Sequence, residues 1–169
     1  MEFQEVIGVR RSIRGYKPDA IPDAVLHRIL EAGRLAPTAA NRQPFQLLVV
    51  TRAATRRRLR EVYDRDWFYT APVILVGCVE PAKAWRRGVG FNAAEVDISI
   101  VMDHVILAAA NEGLGSCWIC DFNEPRLKEI LGIPPDVRVI AMTPLGFPAA
   151  EPPPFQRKAF EELVRYEQW

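Results

Sequence analysis

Arg10-Arg11-Ser12-Ile13-Arg14 puts three guanidinium groups and a hydroxyl within five residues. That donor set suits a phosphate, whose oxygens accept paired, charge-assisted hydrogen bonds. A second run, Ala36-Pro37-Thr38-Ala39-Ala40-Asn41-Arg42-Gln43-Pro44-Phe45, is a proline-bounded turn rich in small residues. Small side chains let a backbone approach a flat ring, and the Asn41 and Gln43 amides can bond polar ring edges. A third cluster, Gly113-Leu114-Gly115-Ser116-Cys117-Trp118-Ile119-Cys120, follows a long apolar segment. Together the three point to a site for a phosphorylated planar cofactor.

Each cluster also has a plainer reading. Arg10 and Arg14 are four apart and would share a helical face. A basic helix end is favoured by the helix dipole and is usually solvated. Asn41 and Gln43 are ordinary turn chemistry. Cys117 and Cys120 form a C-x-x-C, which could be a redox dithiol or half of a zinc site. Zinc needs more ligands, and Cys78, His27 and His104 are the only other Cys or His residues. A redox dithiol follows a strand and opens a helix, whereas this pair follows a helix. In an extended segment, positions three apart face opposite ways. No Gly-x-Gly-x-x-Gly follows a strand, and Ser99, Asp103 and His104 lack a nucleophile elbow. Arg56-Arg57-Arg58 with Arg60 could contact nucleic acid. The near-neutral charge favours an exposed helix face paired with Glu61 and Asp64.

The chain of 169 residues is long enough for one domain with a substantial core. Apolar residues make up 49% and charged residues 25%, ordinary for a globular protein. The net charge of +1 gives no general attraction to nucleic acid or membrane. Arg outnumbers Lys by 18 to 4, so a single Arg is a weak signal and only their clustering counts. No secretory pattern opens the chain and no apolar run is long enough to span a membrane. With three cysteines, a reduced cytoplasmic protein is expected.

Spacing predicts the elements that must hold these clusters. A short helix over 2–9 leads into the arginines. Pro22-Asp23 opens a helix with Val25, Leu26, Ile29, Leu30 and Gly33 on one face, ending before Pro37. Phe45 to Val50 and Val73 to Val79 read as buried strands, with a polar helix over Arg56 to Tyr63 between them. Residues 92–112 form the longest helix, apolar nearly all round, so it is central to a core or buried between subunits. Cys117 to Ile119 reads as a short strand. Asp121 or Asn123 caps a helix through Leu131, closed by Gly132. Val137 to Leu145 is a third strand. The proline-rich stretch over 148–154, with Glu151 to Pro154 an extended link, begins a C-terminal arm that could cross to a second subunit. A last helix covers Phe160 to Tyr166. One domain, residues 1–169, is expected, of α+β class.

The chain resembles the nitroreductase family of flavin-dependent NAD(P)H oxidoreductases. Arg10-Arg11-Ser12-Ile13-Arg14-Gly15-Tyr16 is similar to its opening signature. The 36–45 run resembles its Ala-Pro-Ser-x-x-Asn-x-Gln-Pro-Trp turn, and Gly113 to Ile119 its Gly-Leu-Gly-x-x-Trp-Ile segment. Leu131-Gly132-Ile133-Pro134, Leu145-Gly146-Phe147-Pro148 and Arg157-Lys158 follow in family order. The resemblance implies a sandwich with a mixed, mostly antiparallel sheet flanked by helices. It also implies an intertwined homodimer with FMN at the interface and NADH or NADPH as electron donor. Hydride would pass in ping-pong fashion to a nitroaromatic, quinone or similar small acceptor. Arg10, Arg11, Ser12 and Arg14 would hold the phosphate, ribityl chain and ring edge, Arg14 also offsetting charge on the reduced ring. Arg157 and Lys158 would add phosphate contacts. Pro37, Thr38, Ala39 and Asn41 would approach from the partner subunit, with Gln43 holding the turn or the ring. The backbone of Ile119 would face the ring. Cys120 stands where the family has Gly, and would narrow the site or put a thiol near the ring. Phe45 replaces the usual Trp. No metal and no catalytic side chain is implied. A flavin-binding protein with little turnover, a dithiol redox protein, or a specialised chemistry such as dehalogenation are the alternatives.

Overall fold

The computed structural model describes residues 1–88, 90–152 and 154–169. In chain order the elements are α1 (Phe3–Val9), α2 (Asp23–Arg34), β1 (Phe45–Val50), α3 (Ala53–Arg58), α4 (Asp66–Tyr69) and β2 (Val73–Val79). They continue with β3 (Arg86–Arg87), β4 (Phe91–Asn92), α5 (Ala94–Asn111), β5 (Gly115–Ser116), α6 (Glu124–Leu131), β6 (Arg138–Gly146) and α7 (Phe160–Leu163).

β2 organises the molecule. All seven of its residues are buried, and Val, Ile and Leu supply both faces. A strand buried on both faces needs cover on both. The sheet order is β1-β2-β6-β5, and every pairing in it is antiparallel. The parallel contact is the isolated bridge between Ser12 and Ser116. Strand alternation sends Val73 and Leu75 to one face, where they meet Ile29 of α2 and Val105 and Ala109 of α5. Ile74, Val76 and Cys78 go to the other, with Leu127 and Ile130 of α6 and with Leu59, Val62 and Phe68. This is the expected α+β sandwich, helices covering both faces of an antiparallel sheet.

The two long helices are set by their composition. α2 carries its apolar residues at helical spacing and buries Ile29 and Gly33. A Cβ on Gly33 would lie 2.8 Å from Val105 and 3.0 Å from Leu47, so only hydrogen fits where α2 meets α5 and the sheet. α5 buries Ile98, Val101, Met102, Val105 and Ile106 yet leaves Val96 exposed and Ile100 and Leu107 half-buried.

Several expectations are corrected. The helix predicted over 56–63 is α3 followed by a tighter 3-10 turn, Leu59–Glu61. Its arginines are not paired with Glu61. Glu61 accepts instead from Arg126, at 2.9 and 2.6 Å. Arg56 spends its guanidinium on backbone carbonyls of Thr51 (3.2 Å), Tyr69, Thr70 and Ala71. The strand expected at Cys117–Ile119 lies two residues earlier, as β5, and Ile119 makes only an isolated bridge to Met142. α4 and the β3–β4 hairpin had no periodic signal, being four and two residues long. The last helix stops at Leu163 because Val164 is extended. Pro153, in the proline-rich link, lies outside the described residues. Among the described residues no helix is long and apolar enough to cross a membrane.

β5 is short because its role is docking. Gly115 and Ser116 pair with Gly146 and Leu145 on one side. On the other, Ile13 donates its N–H to the Ser116 carbonyl at 2.8 Å. A Cβ on Gly115 would sit 2.7–2.9 Å from three Ile13 side-chain atoms, including its Cβ. Gly115→Ala therefore forces Ile13 off its seat. It should lower stability by about 1–3 kcal/mol, as overpacking typically does, read as a lower urea midpoint with unchanged slope. A midpoint equal to that of the unsubstituted protein would contradict this close approach.

Candidate functional site

α1 ends at Val9, and Arg10 is already extended, at φ −57° and ψ 127°. Arg10 and Arg14 thus do not share a helical face, correcting that part of the reading. The bridge to β5 captures this segment. Alternation along it buries Ile13 and turns Ser12 and Arg14 outward. Arg10 and Arg11 line a cavity of about 170 Å³ with Gly115, Ser116, Pro148 and Pro152. Tyr16 braces the segment, its hydroxyl donating to the Ile13 carbonyl at 2.6 Å. Burial pushes the Tyr16 phenol well above its usual range.

The arm returns to this cluster. Arg157 and Arg11 both lie over the Phe155 ring, their guanidinium carbons 4.5 and 3.8 Å from its centroid. Arg11 is held further by bonds to the carbonyls of Gly8 (2.5 Å) and Arg10 (2.9 Å). Among the described residues, Arg10, Arg11, Arg14, Arg157 and Lys158 form no ion pair with a carboxylate. The structure thus brings Arg157 to the first cluster. Lys158 is exposed beside it in sequence.

The second cluster is a strained turn. Ala40, Asn41 and Gln43 have φ of 51°, 51° and 48°, in the left-handed region that costs a non-glycine residue about 1 kcal/mol or more each. Four hydrogen bonds hold it. Ala39 donates its N–H to Asp97 Oδ1 at 2.8 Å, and Gln43 its N–H to Thr38 Oγ1 at 3.0 Å. Gln43 Nε2 donates to the Asn41 carbonyl and Oδ1, at 3.2 and 3.1 Å. The Gln43 amide therefore works within the turn. Pro37 is exposed and Thr38 and Ala39 are half-buried.

In the third cluster Cys117 is buried and Cys120 exposed, both free thiols. Burial pushes the Cys117 thiol up, opposed by the charges of Arg14 and Arg10 and a hydrogen bond with Ser12. Cys78, also buried, is pushed up to about 11. Cys120 Sγ accepts from Trp118 Nε1 at 2.8 Å. Ile119 exchanges both backbone bonds with Met142, at 3.0 and 2.9 Å. Among the described residues no three His, Cys, Asp or Glu converge on a metal position.

α5 separates these clusters within one chain. Asp97, near its N-terminus, holds the turn, whereas Ala110, near its C-terminus, lines the arginine cavity. The rise from Asp97 to Ala110 is about 20 Å at 1.5 Å per residue. Asp97 and Phe155 touch the candidate clusters and were missed by motif reading, which had Tyr16 only as the end of the opening signature. A visible signal for Asp97 was an acid on the buried side of an otherwise apolar helix.

Asp97 is 1% exposed. Asp97→Ala leaves the Ala39 N–H without its acceptor and the strained turn without its anchor, and should cost about 1–3 kcal/mol. Asp97→Asn keeps an oxygen acceptor and should lose roughly half of that or less. Chemical denaturation of both variants checks this, and equal losses would contradict the anchoring bond. In thiol titration at about pH 8, only Cys120 of the apoprotein should react, with Cys78 and Cys117 reacting after unfolding. Rapid labelling of all three in the native protein would contradict the burial.

Comparisons with known proteins bear on the family and the fold. The family model described as "Nitroreductase family" matches residues 7–64 and 59–147. An NADH dehydrogenase of Thermus thermophilus is 30% identical over 92% of this chain and 91% of its own length. A nitroreductase family protein of Clostridium difficile 630 has 30% identity and a TM-score of 0.93, covering all of both chains. Another from Clostridium novyi NT has 33% identity and a TM-score of 0.82, covering 88% of this chain and 86% of that one. With its fold, its motif order and most of its length in agreement, the chain belongs to the nitroreductase family.

Proposed function

We propose that this chain is an FMN-dependent oxidoreductase that takes hydride from NADH or NADPH and passes it to a nitroaromatic, quinone or similar acceptor. The observation that carries the reading is a cluster of cations, without carboxylate partners among the described residues, at and near a cavity lined by Arg10, Arg11, Gly113 and Gly115. That donor set fits a phosphate and not a neutral ligand. Family membership and the similarity to an NADH dehydrogenase support the redox class and the nicotinamide donor. Bound FMN would supply the two-electron chemistry.

The protein's own residues bind, orient and stabilise. Arg10, Arg11, Ser12, Arg157 and Lys158 hold the phosphate end. Arg14, exposed beside them in sequence, places a positive charge where the reduced ring is negative. Pro37, Thr38, Ala39 and Asn41 lay a small-residue backbone against the ring, while Gln43 holds that turn in shape. Because the Ile119 N–H is committed to Met142, the following amide, that of Cys120, meets the ring. No general base is required of the side chains in this reading.

The site takes two copies of the chain. Half-sites about 20 Å apart on one helix come together when a second α5 runs antiparallel to the first. The stripe Val96, Ile100 and Leu107, with exposed Phe3 and Ile7 on α1, supplies an apolar contact face. β1 is the open edge of the sheet, with cavities of about 470 and 510 Å³ beside it. An edge strand of this kind accepts an added strand. The partner's residues 164–169, with exposed Tyr166 and Trp169, are our candidate for it.

Added FMN should bind and turn the protein yellow, and anaerobic NADH or NADPH should bleach the band near about 450 nm. Arg11→Ala should weaken FMN retention by about tenfold or more, the worth of a charge-assisted bond. Arg58→Ala, on the distant α3 surface, should not. Equal flavin content in both purified variants would contradict the phosphate role, and an unbleached yellow protein would contradict the oxidoreductase.

A further inference from the structure

Arg11 and Arg157 lie 146 positions apart in sequence yet share one aromatic ring. Their guanidinium carbons, at 3.8 and 4.5 Å from the Phe155 centroid, are therefore no more than about 8 Å from each other. Two such charges repel, and among the described residues neither has a carboxylate to offset it. Aromatic faces are electron-rich, and attraction to one ring offsets part of that repulsion. We propose that Phe155 is a positioning residue, a cation–π clamp that holds Arg11 and Arg157 together as one preorganised phosphate site.

Three features support a clamp over simple packing. Phe155 is 41% exposed, so it is not a core residue placed by burial. Its ring carries no hydrogen-bond donor, so it offers the phosphate no bond of its own and acts through the arginines. Arg11 is also fixed from the other side by the Gly8 and Arg10 carbonyls, so the ring and backbone together leave it little freedom. Without the clamp, phosphate binding would have to order the arm and two long side chains at the moment of binding. Phe155 also ties the arm to the N-terminal segment of its own chain. Both arginines of a phosphate site thus belong to one subunit, while the strained turn comes from the other.

The inference rests on the FMN reading, so its test compares FMN with riboflavin, which lacks the phosphate. Phe155→Ala and Phe155→Leu should each weaken FMN by about tenfold, from the loss of two cation–π contacts, and leave riboflavin affinity unchanged. Phe155→Trp, which keeps an aromatic face, should stay within about twofold of the unsubstituted protein. Rescue by Leu would overturn the clamp in favour of plain packing. Parallel losses of FMN and riboflavin would also overturn it, as would unchanged FMN affinity in all three variants. An unsubstituted protein with no affinity for FMN would overturn the reading beneath it instead. Phe155 lies outside the three core clusters, so circular dichroism should show all variants folded.

Discussion

The length of α5 is the constraint from which the rest follows. A helix of 18 residues is a rigid ruler, and this one carries a different candidate cluster at each end. Near its start, Asp97 grips a turn of small residues. Past its end, the chain doubles back through Gly115 and Ser116 to receive Ile13. Neither half can move toward the other without breaking the packing of α5 on α2 and the sheet. Gly33 and Gly77 show how tight that packing is: a Cβ on either would meet α5 side chains at 2.8–3.0 Å. A single chain thus keeps the two clusters apart, and in the proposed reading antiparallel pairing of two copies is the symmetric way to join them.

The two halves are built by opposite physics. The turn half is neutral, strained and held by hydrogen bonds, so its shape is settled before any ligand arrives. The arginine half is charged and exposed, and tolerable because water and salt screen charges at a surface. Among the described residues it lacks the carboxylates that pair some arginines elsewhere, such as Glu112 for Arg28 and Glu61 for Arg126. Evenly distributed, 18 arginines would say little. The informative feature is the clustering: Arg10, Arg11 and Arg14 follow one another closely, Arg157 joins Arg11 on one ring, and among the described residues none of the four has a carboxylate partner.

Much of this was legible in sequence where the signal was long or chemically unusual. α2, α5, β1, β2 and β6 run six residues or more, long enough for helical or strand periodicity to show. The Arg-Arg-Ser-Ile-Arg and Pro-Thr-Ala-Ala-Asn runs pair residue types whose chemistry is narrow. What was not legible was decided by partners far away in sequence. The helical reading of Arg10–Arg14 failed because Ser12 and Ile13 find β5. The strand expected at Cys117 sits at Gly115–Ser116, where the absence of a side chain, not the presence of a β-branched one, permits the approach of Ile13. Arg56 reads as a solvated charge, yet it bonds the carbonyls that end α4. Asp97 reads as an interruption in an apolar helix, yet it anchors the turn.

The central claim is that one copy supplies the cations and the other the turn. Subunit complementation tests it most directly. One variant, Arg11→Ala with Arg157→Ala, lacks the charged half, and a second, Asp97→Ala, lacks the ordered turn. Each alone should bind FMN poorly. After subunit exchange, half of the dimers are mixed and each holds one intact site, so about a quarter of all sites should regain affinity. Mixed dimers that form but bind FMN no better than either parent would contradict the account.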